Sequence, residues 1–152
     1  MDFGSRVRPG FSAIKGSKST EDCNGHGTHV AGTIGGNIYG AAKNVSLIPV
    51  RVLSCSGSGS NSGVIAGLDW ILKQSTVANT SKVVNMSLGG GISTSLDNTV
   101  AKLTNVGITV VVAAGNSASN ACNSSPARAA SAITVAASDS NDAFASFSNF
   151  GT

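Results

Sequence analysis

The sequence predicts an α/β fold of three layers, a mostly parallel twisted sheet with helices on both faces. Three observations predict it. Short apolar runs alternate with segments of helical periodicity ten or more residues long. Such alternation implies βαβ units, and therefore parallel strands joined by right-handed crossovers. Gly-rich loops follow the strands at Leu53, Leu88 and Ala114. They are expected to gather on one edge, where ligands bind in sheets of this kind.

Residues 1–24 are polar and turn-rich and read as loop with at most one short strand. Gly25 to Gly36 reads as a helix of small residues with Val30 and Ile34 on one face. Val45 to Leu53 is a near-continuous apolar run, as for a strand buried on both faces, although Pro49 removes one ladder donor. Ser54 to Ser60 is a Ser/Gly loop. Asn61 to about Ser75 is a helix with Val64, Leu68, Ile71 and Leu72 on one face. Lys82 to Leu88 is a strand ended by Gly89-Gly90-Gly91. Thr94 to Asn105 is a helix with Leu96, Val100 and Leu103 inward. Ile108 to Ala114 and Ala132 to Ala137 are strands. No repeat and no long linker divides the 152 residues, so one domain is expected.

Only 11% of the residues are charged, the net charge is +3, and Gly, Ser, Asn and Thr are abundant. Slightly positive mean hydropathy argues against disorder. No run approaches the roughly eighteen apolar residues of a membrane span. Lys and Arg are scattered without interleaved aromatics, so neither a nucleic acid nor a membrane is an expected partner. Low charge leans toward a secreted protein. Met1 is followed by a polar stretch without an apolar core, so no secretory signal is expected in this chain, and an exported parent would need a longer precursor. The cysteines are Cys23, Cys55 and Cys122, an odd count with no CxxC pair.

His26 and His29 stand at i, i+3 on the first helix. Taken alone, such a pair is one core histidine and one exposed one. Cys23-x2-His26-x2-His29 also invites zinc, but a structural site needs a fourth ligand, and only the distant Cys55 or Cys122 could supply it. Gly57-x-Gly59-x3-Gly63 between a strand and a helix suggests dinucleotide binding. Its spacing is not GxGxxG, and the next strand ends Asn85-Met86-Ser87-Leu88 without the acidic residue that reading requires. Ser87-Leu88-Gly89 alone is a strand end and a turn, and Asn116 after Val110 to Gly115 alone is a common turn residue.

In combination these stretches say more. Asn24-Gly25-His26-Gly27-Thr28-His29-Val30-Ala31-Gly32-Thr33 closely resembles the histidine signature of the subtilases, the subtilisin-like serine proteases. Ser87 to Gly91, Val110 to Asn116, Asn123 to Ala127, Ile133 to Val135 and Ala145 to Gly151 continue the likeness, which runs from about Phe3 to Thr152. Within the family the chain is most similar to the proteinase K branch, and especially to aqualysin-like bacterial enzymes.

The resemblance implies a secreted, monomeric serine endopeptidase that hydrolyses peptide bonds through an acyl-enzyme and needs no cofactor for its chemistry. His26 would be the general base and His29 structural. Asn116 would donate a hydrogen bond to the oxyanion. Removing such a donor costs roughly 10²–10³ in turnover, a magnitude that comes from a member of this family. Gly57, Ser58 and Gly59 would form an exposed strand that pairs with a peptide backbone, with small residues allowing its close approach. Ser87, Leu88 and Gly89 would pair with substrate on the other side, and Ala113 and Gly115 would contact it near the oxyanion site. Cys23 would pair with Cys55, a closure worth about 3–4 kcal/mol in an oxidising compartment, leaving Cys122 without its partner. Structural calcium is a family habit, and one site would use carbonyls matching Ala130 and Ala132.

Two triad members have no counterpart. Asp2 follows no apolar strand, Asp22 does not end one, and no Gly-Thr-Ser-Met-Ala occurs. The chain is therefore expected to be the central portion of a catalytic domain, inactive alone. The alternative is a non-catalytic peptide-binding module, and a dinucleotide-binding domain is more remote.

Overall fold

The structure, a computed structural model, describes residues 2–74 and 81–151. Ser75, the expected end of the second helix, and Thr152, the end of the family likeness, lie outside the described residues. The chain divides into two compact units, one up to Trp70 and one from Ile71 onward.

In the first unit a 3₁₀ turn at Gly4–Arg6 precedes strand β1 (Phe11–Ser12), helix α1 (His26–Gly35), strand β2 (Val50–Arg51) and helix α2 (Asn61–Lys73), which runs past the division. β1 and β2 are parallel, with Phe11 opposite Val50 and Ser12 opposite Arg51. The long buried strand expected over Val45–Leu53 is not formed. Only Val50–Arg51 is strand, a single bridge joins Leu47 to Val7, and Ile48 is 54% exposed. Pro49 has no N–H to donate, so the ladder is interrupted there and only its carbonyl is used, by the Phe11 N–H. α2 turns Val64 and Leu68 inward. A methyl group at Gly67 would stand 2.7 Å from Val52 Cγ1, so the missing side chain lets helix and strand approach. Phe11 stacks on Trp70 with ring centroids 5.7 Å apart.

In the second unit β3 (Val83–Met86), α3 (Thr94–Asn105), β4 (Thr109–Ala113), a 3₁₀ turn at Ala121–Asn123 and β5 (Ile133–Val135) follow one another. The sheet order is β3-β4-β5, all parallel, with Met86 opposite Val112 and Val112 opposite Thr134. This is the expected α/β architecture, with β3-α3-β4 as its βαβ unit. α3 has the predicted bounds. Ser93 Oγ caps it by accepting from the Leu96 N–H, and Leu96, Val100 and Leu103 are buried. α3 packs on β4, whose Val110 and Val112 are buried, as is the neighbouring Met86 of β3. Among the described residues no helix is long and apolar enough to cross a membrane.

Candidate active site

The first unit holds the histidine. Gly25 and Asn24 lead into α1, which places His26 at its first residue. The start of the helix is clamped by a carboxylate. Asp22 Oδ1 accepts from the N–H groups of Asn24 (2.9 Å) and Gly25 (2.8 Å). Its Oδ2 accepts from the Thr28 N–H (2.8 Å) and the Thr28 hydroxyl (2.7 Å). These donors, the Thr28 hydroxyl foremost, hold the Asp22 carboxyl far below the usual carboxylate range. The Asn24 side chain accepts from the His26 N–H at 3.3 Å and donates to the Cys55 carbonyl at 3.0 Å. Both imidazoles are exposed, so neither histidine is the core residue that the bare pair suggests. Among the described residues no side chain bonds the His26 ring.

Cys23 and Cys55 form a disulfide with Cα atoms 4.9 Å apart. The zinc reading fails on this bond, because Cys23 has no thiolate to offer. Arg51 lies beside it, with Nη2 at 3.1 Å from Cys23 Sγ. Cys122 is a free, exposed cysteine. The loop after β2 is thus tied to the segment that precedes His26.

That loop has its own reasons for small residues. Gly57, Ser58 and Gly59 are exposed, but their glycines serve the loop itself. Gly57 has φ +77°, and a Cβ at Gly59 would sit 2.6 Å from the Val52 carbonyl oxygen. The Ser58 carbonyl already accepts from the Ser54 N–H, and Ser60 Oγ accepts from the Gly63 N–H at the start of α2.

The second unit holds the other candidates on one edge of its sheet. β3 and β4 are adjacent and parallel, so Ser87, Leu88 and Gly89 emerge beside Ala113, Gly115 and Asn116. The Ser87 hydroxyl accepts from Asn85 Nδ2 at 2.9 Å. Gly90 exchanges both backbone hydrogen bonds with Ser125, whose buried hydroxyl accepts from the Ser93 N–H. Gly115 has φ +107° and turns the chain so that Asn116 is exposed. Among the described residues no group is bonded to the Asn116 carboxamide, so both of its N–H donors are available.

Two supporting residues escaped sequence reasoning. One is Asp22, whose position just ahead of a helix start was a usable capping signal. The other is Asn149, a buried residue whose side chain reaches back to the 114–119 loop. No pattern in the chain links positions so far apart. Asp2 is occupied elsewhere, its carboxylate accepting from the Ile38 N–H. Among the described residues no three His, Cys, Asp or Glu side chains come together as a metal site.

Comparison with known proteins agrees with this geometry. The chain is 59% identical to the extracellular serine proteinase of Thermus sp. (strain Rt41A) over 99% of its length and 36% of the relative's. It is 54% identical to alkaline serine exoprotease A of Vibrio alginolyticus, over all of this chain and 28% of that one. It is 50% identical to Proteinase T of Parengyodontium album, covering 52% of it. The chain therefore spans between about a quarter and about half of these relatives' lengths. The crystal structure of a cold adapted subtilisin-like serine proteinase superposes with a TM-score of 0.93 at 52% identity, over 99% of this chain and 54% of that one. The profile of the subtilase family matches residues 2–152, and the chain belongs to that family.

Proposed function

We propose that these residues form part of the catalytic domain of a secreted, monomeric subtilisin-like serine endopeptidase acting on peptides and proteins. The observation that carries this reading is the placement of His26 at the first residue of a clamped helix, within the family's histidine signature. His26 takes the proton of a serine as that serine attacks the peptide carbonyl, and later gives it to the leaving amine. Asn116 donates from its carboxamide to the oxyanion. Ser87 to Gly89 and Ser58 present backbone groups to the substrate, with Ala113 and Gly115 beside the oxyanion site. The serine and the carboxylate that orients His26 are supplied by residues outside this chain. The disulfide and the extracellular relative support secretion.

Two measurements test the reading. The 152-residue chain is expected neither to turn over a chromogenic peptide nor to react with a fluorophosphonate. In the complete protease, His26→Ala is expected to lower kcat by about 10⁶-fold. Turnover by the chain alone, or a fully active His26→Ala protease, contradicts the assignment.

A further inference from the structure

We infer that Asn149 is a positioning residue for the oxyanion donor, an inference that rests on the function proposed for Asn116. The two peptide units that flank the Asn116 Cα are both held by this one residue. On one side the Gly115 carbonyl accepts from the Asn149 backbone N–H at 2.9 Å. On the other the Ser117 N–H donates to Asn149 Oδ1 at 2.8 Å. Fixing both planes fixes the direction of the Asn116 Cα–Cβ bond, and with it the region its carboxamide can reach. Nothing else among the described residues holds that carboxamide, so its aim comes from the backbone.

Asn149 suits the task. It is 4% exposed, and both ends of its amide are used. Oδ1 also accepts from the Ser119 N–H (3.1 Å) and hydroxyl (3.3 Å), while Nδ2 donates to the Ala114 carbonyl at 2.9 Å. A flipped amide would turn Nδ2 toward the Ser117 and Ser119 N–H groups and Oδ1 toward the Ala114 carbonyl, so the amide has one satisfied orientation. Gly115 is shaped around it, since a Cβ there would lie 2.4 Å from Asn149 Nδ2. A preorganised donor stabilises an oxyanion because no reorientation is required as the charge develops. A donor on an unheld loop loses that advantage without losing ground-state binding.

The test is a double-mutant cycle in the complete protease with Asn116→Ala and Asn149→Ala. The alanine removes Oδ1, the acceptor of the Ser117 N–H, together with the Nδ2 donor to the Ala114 carbonyl. Thermal melting identifies folded variants, and Asn149→Ser is a second probe should the alanine variant not fold. Asn116→Ala is expected to lower kcat by roughly 10²–10³. The Asn149 variant should lower kcat by about tenfold or more with KM within about twofold, and the double variant should be no slower than Asn116→Ala alone. Losses that multiply in the double variant, or an Asn149 variant with unchanged kcat, overturn the positioning role and leave the oxyanion assignment standing. An Asn116→Ala protease with unchanged kcat overturns the oxyanion assignment, and the positioning role with it.

Discussion

At the scale of single residues, carboxylate and amide groups do the holding while His26 and Asn116 stay free. Asp22 is the clearest case, because it satisfies N–H groups that α1 cannot satisfy internally and places a negative charge at the helix N-terminus. Its pKa is depressed from an ordinary 3.8. Its stabilising contribution is therefore complete above that value and is lost as pH falls through the lower value of the folded state. Asp22→Asn is expected to cost about 1 kcal/mol near neutral pH, typical of a capping residue. The gap between variant and parent should narrow below the ordinary carboxylate range. Urea unfolding followed from pH 7 to pH 2 checks this, and a gap that does not change with pH contradicts it.

At the scale of elements, α3 and β4 were fully legible in the sequence and β2 was not. α3 carries apolar residues at helical spacing between a serine cap and Gly107, and every one of those positions is buried. Its packing predicts large differences between neighbouring elements. Leu103→Ala, at a fully buried site, is expected to cost about 2–5 kcal/mol. Val83→Ala, at a residue 68% exposed, should cost much less than half of that. Equal losses in chemical denaturation would contradict the assignment of the core. β2 misled because an apolar run states which residues tolerate burial, not which find a partner. Pro49 breaks its ladder, and its neighbours remain half-exposed.

At the scale of the whole chain, the two units differ in what holds them. The second buries Met86, Leu96, Val100, Leu103, Ile108, Val110 and Val112, whereas the first buries Val64 and Leu68 among its large apolar side chains. A unit with so little core depends more on a covalent tie. The Cys23–Cys55 disulfide closes a separation of 32 residues, worth about 3–4 kcal/mol. Replacing both cysteines by serine is expected to destabilise the first unit by that amount. Faster amide exchange across α1 reports the loss, and unchanged protection there would show that the tie is dispensable.

The sequence by itself determined the family, the α/β class and the helix α3, and it pointed to the two residues proposed for proton transfer and oxyanion binding. Each is legible because it depends on local chemistry: a helix start rich in small residues around His26, an apolar period, a turn after a strand. Tertiary structure alone decided which groups support them. Oδ1 of Asn149 reaches Ser117 across a separation of 32 residues, and Gly59 lies against the Val52 carbonyl, where a Cβ would not fit. Such contacts are set by how the chain returns on itself, and neither spacing nor periodicity records that return.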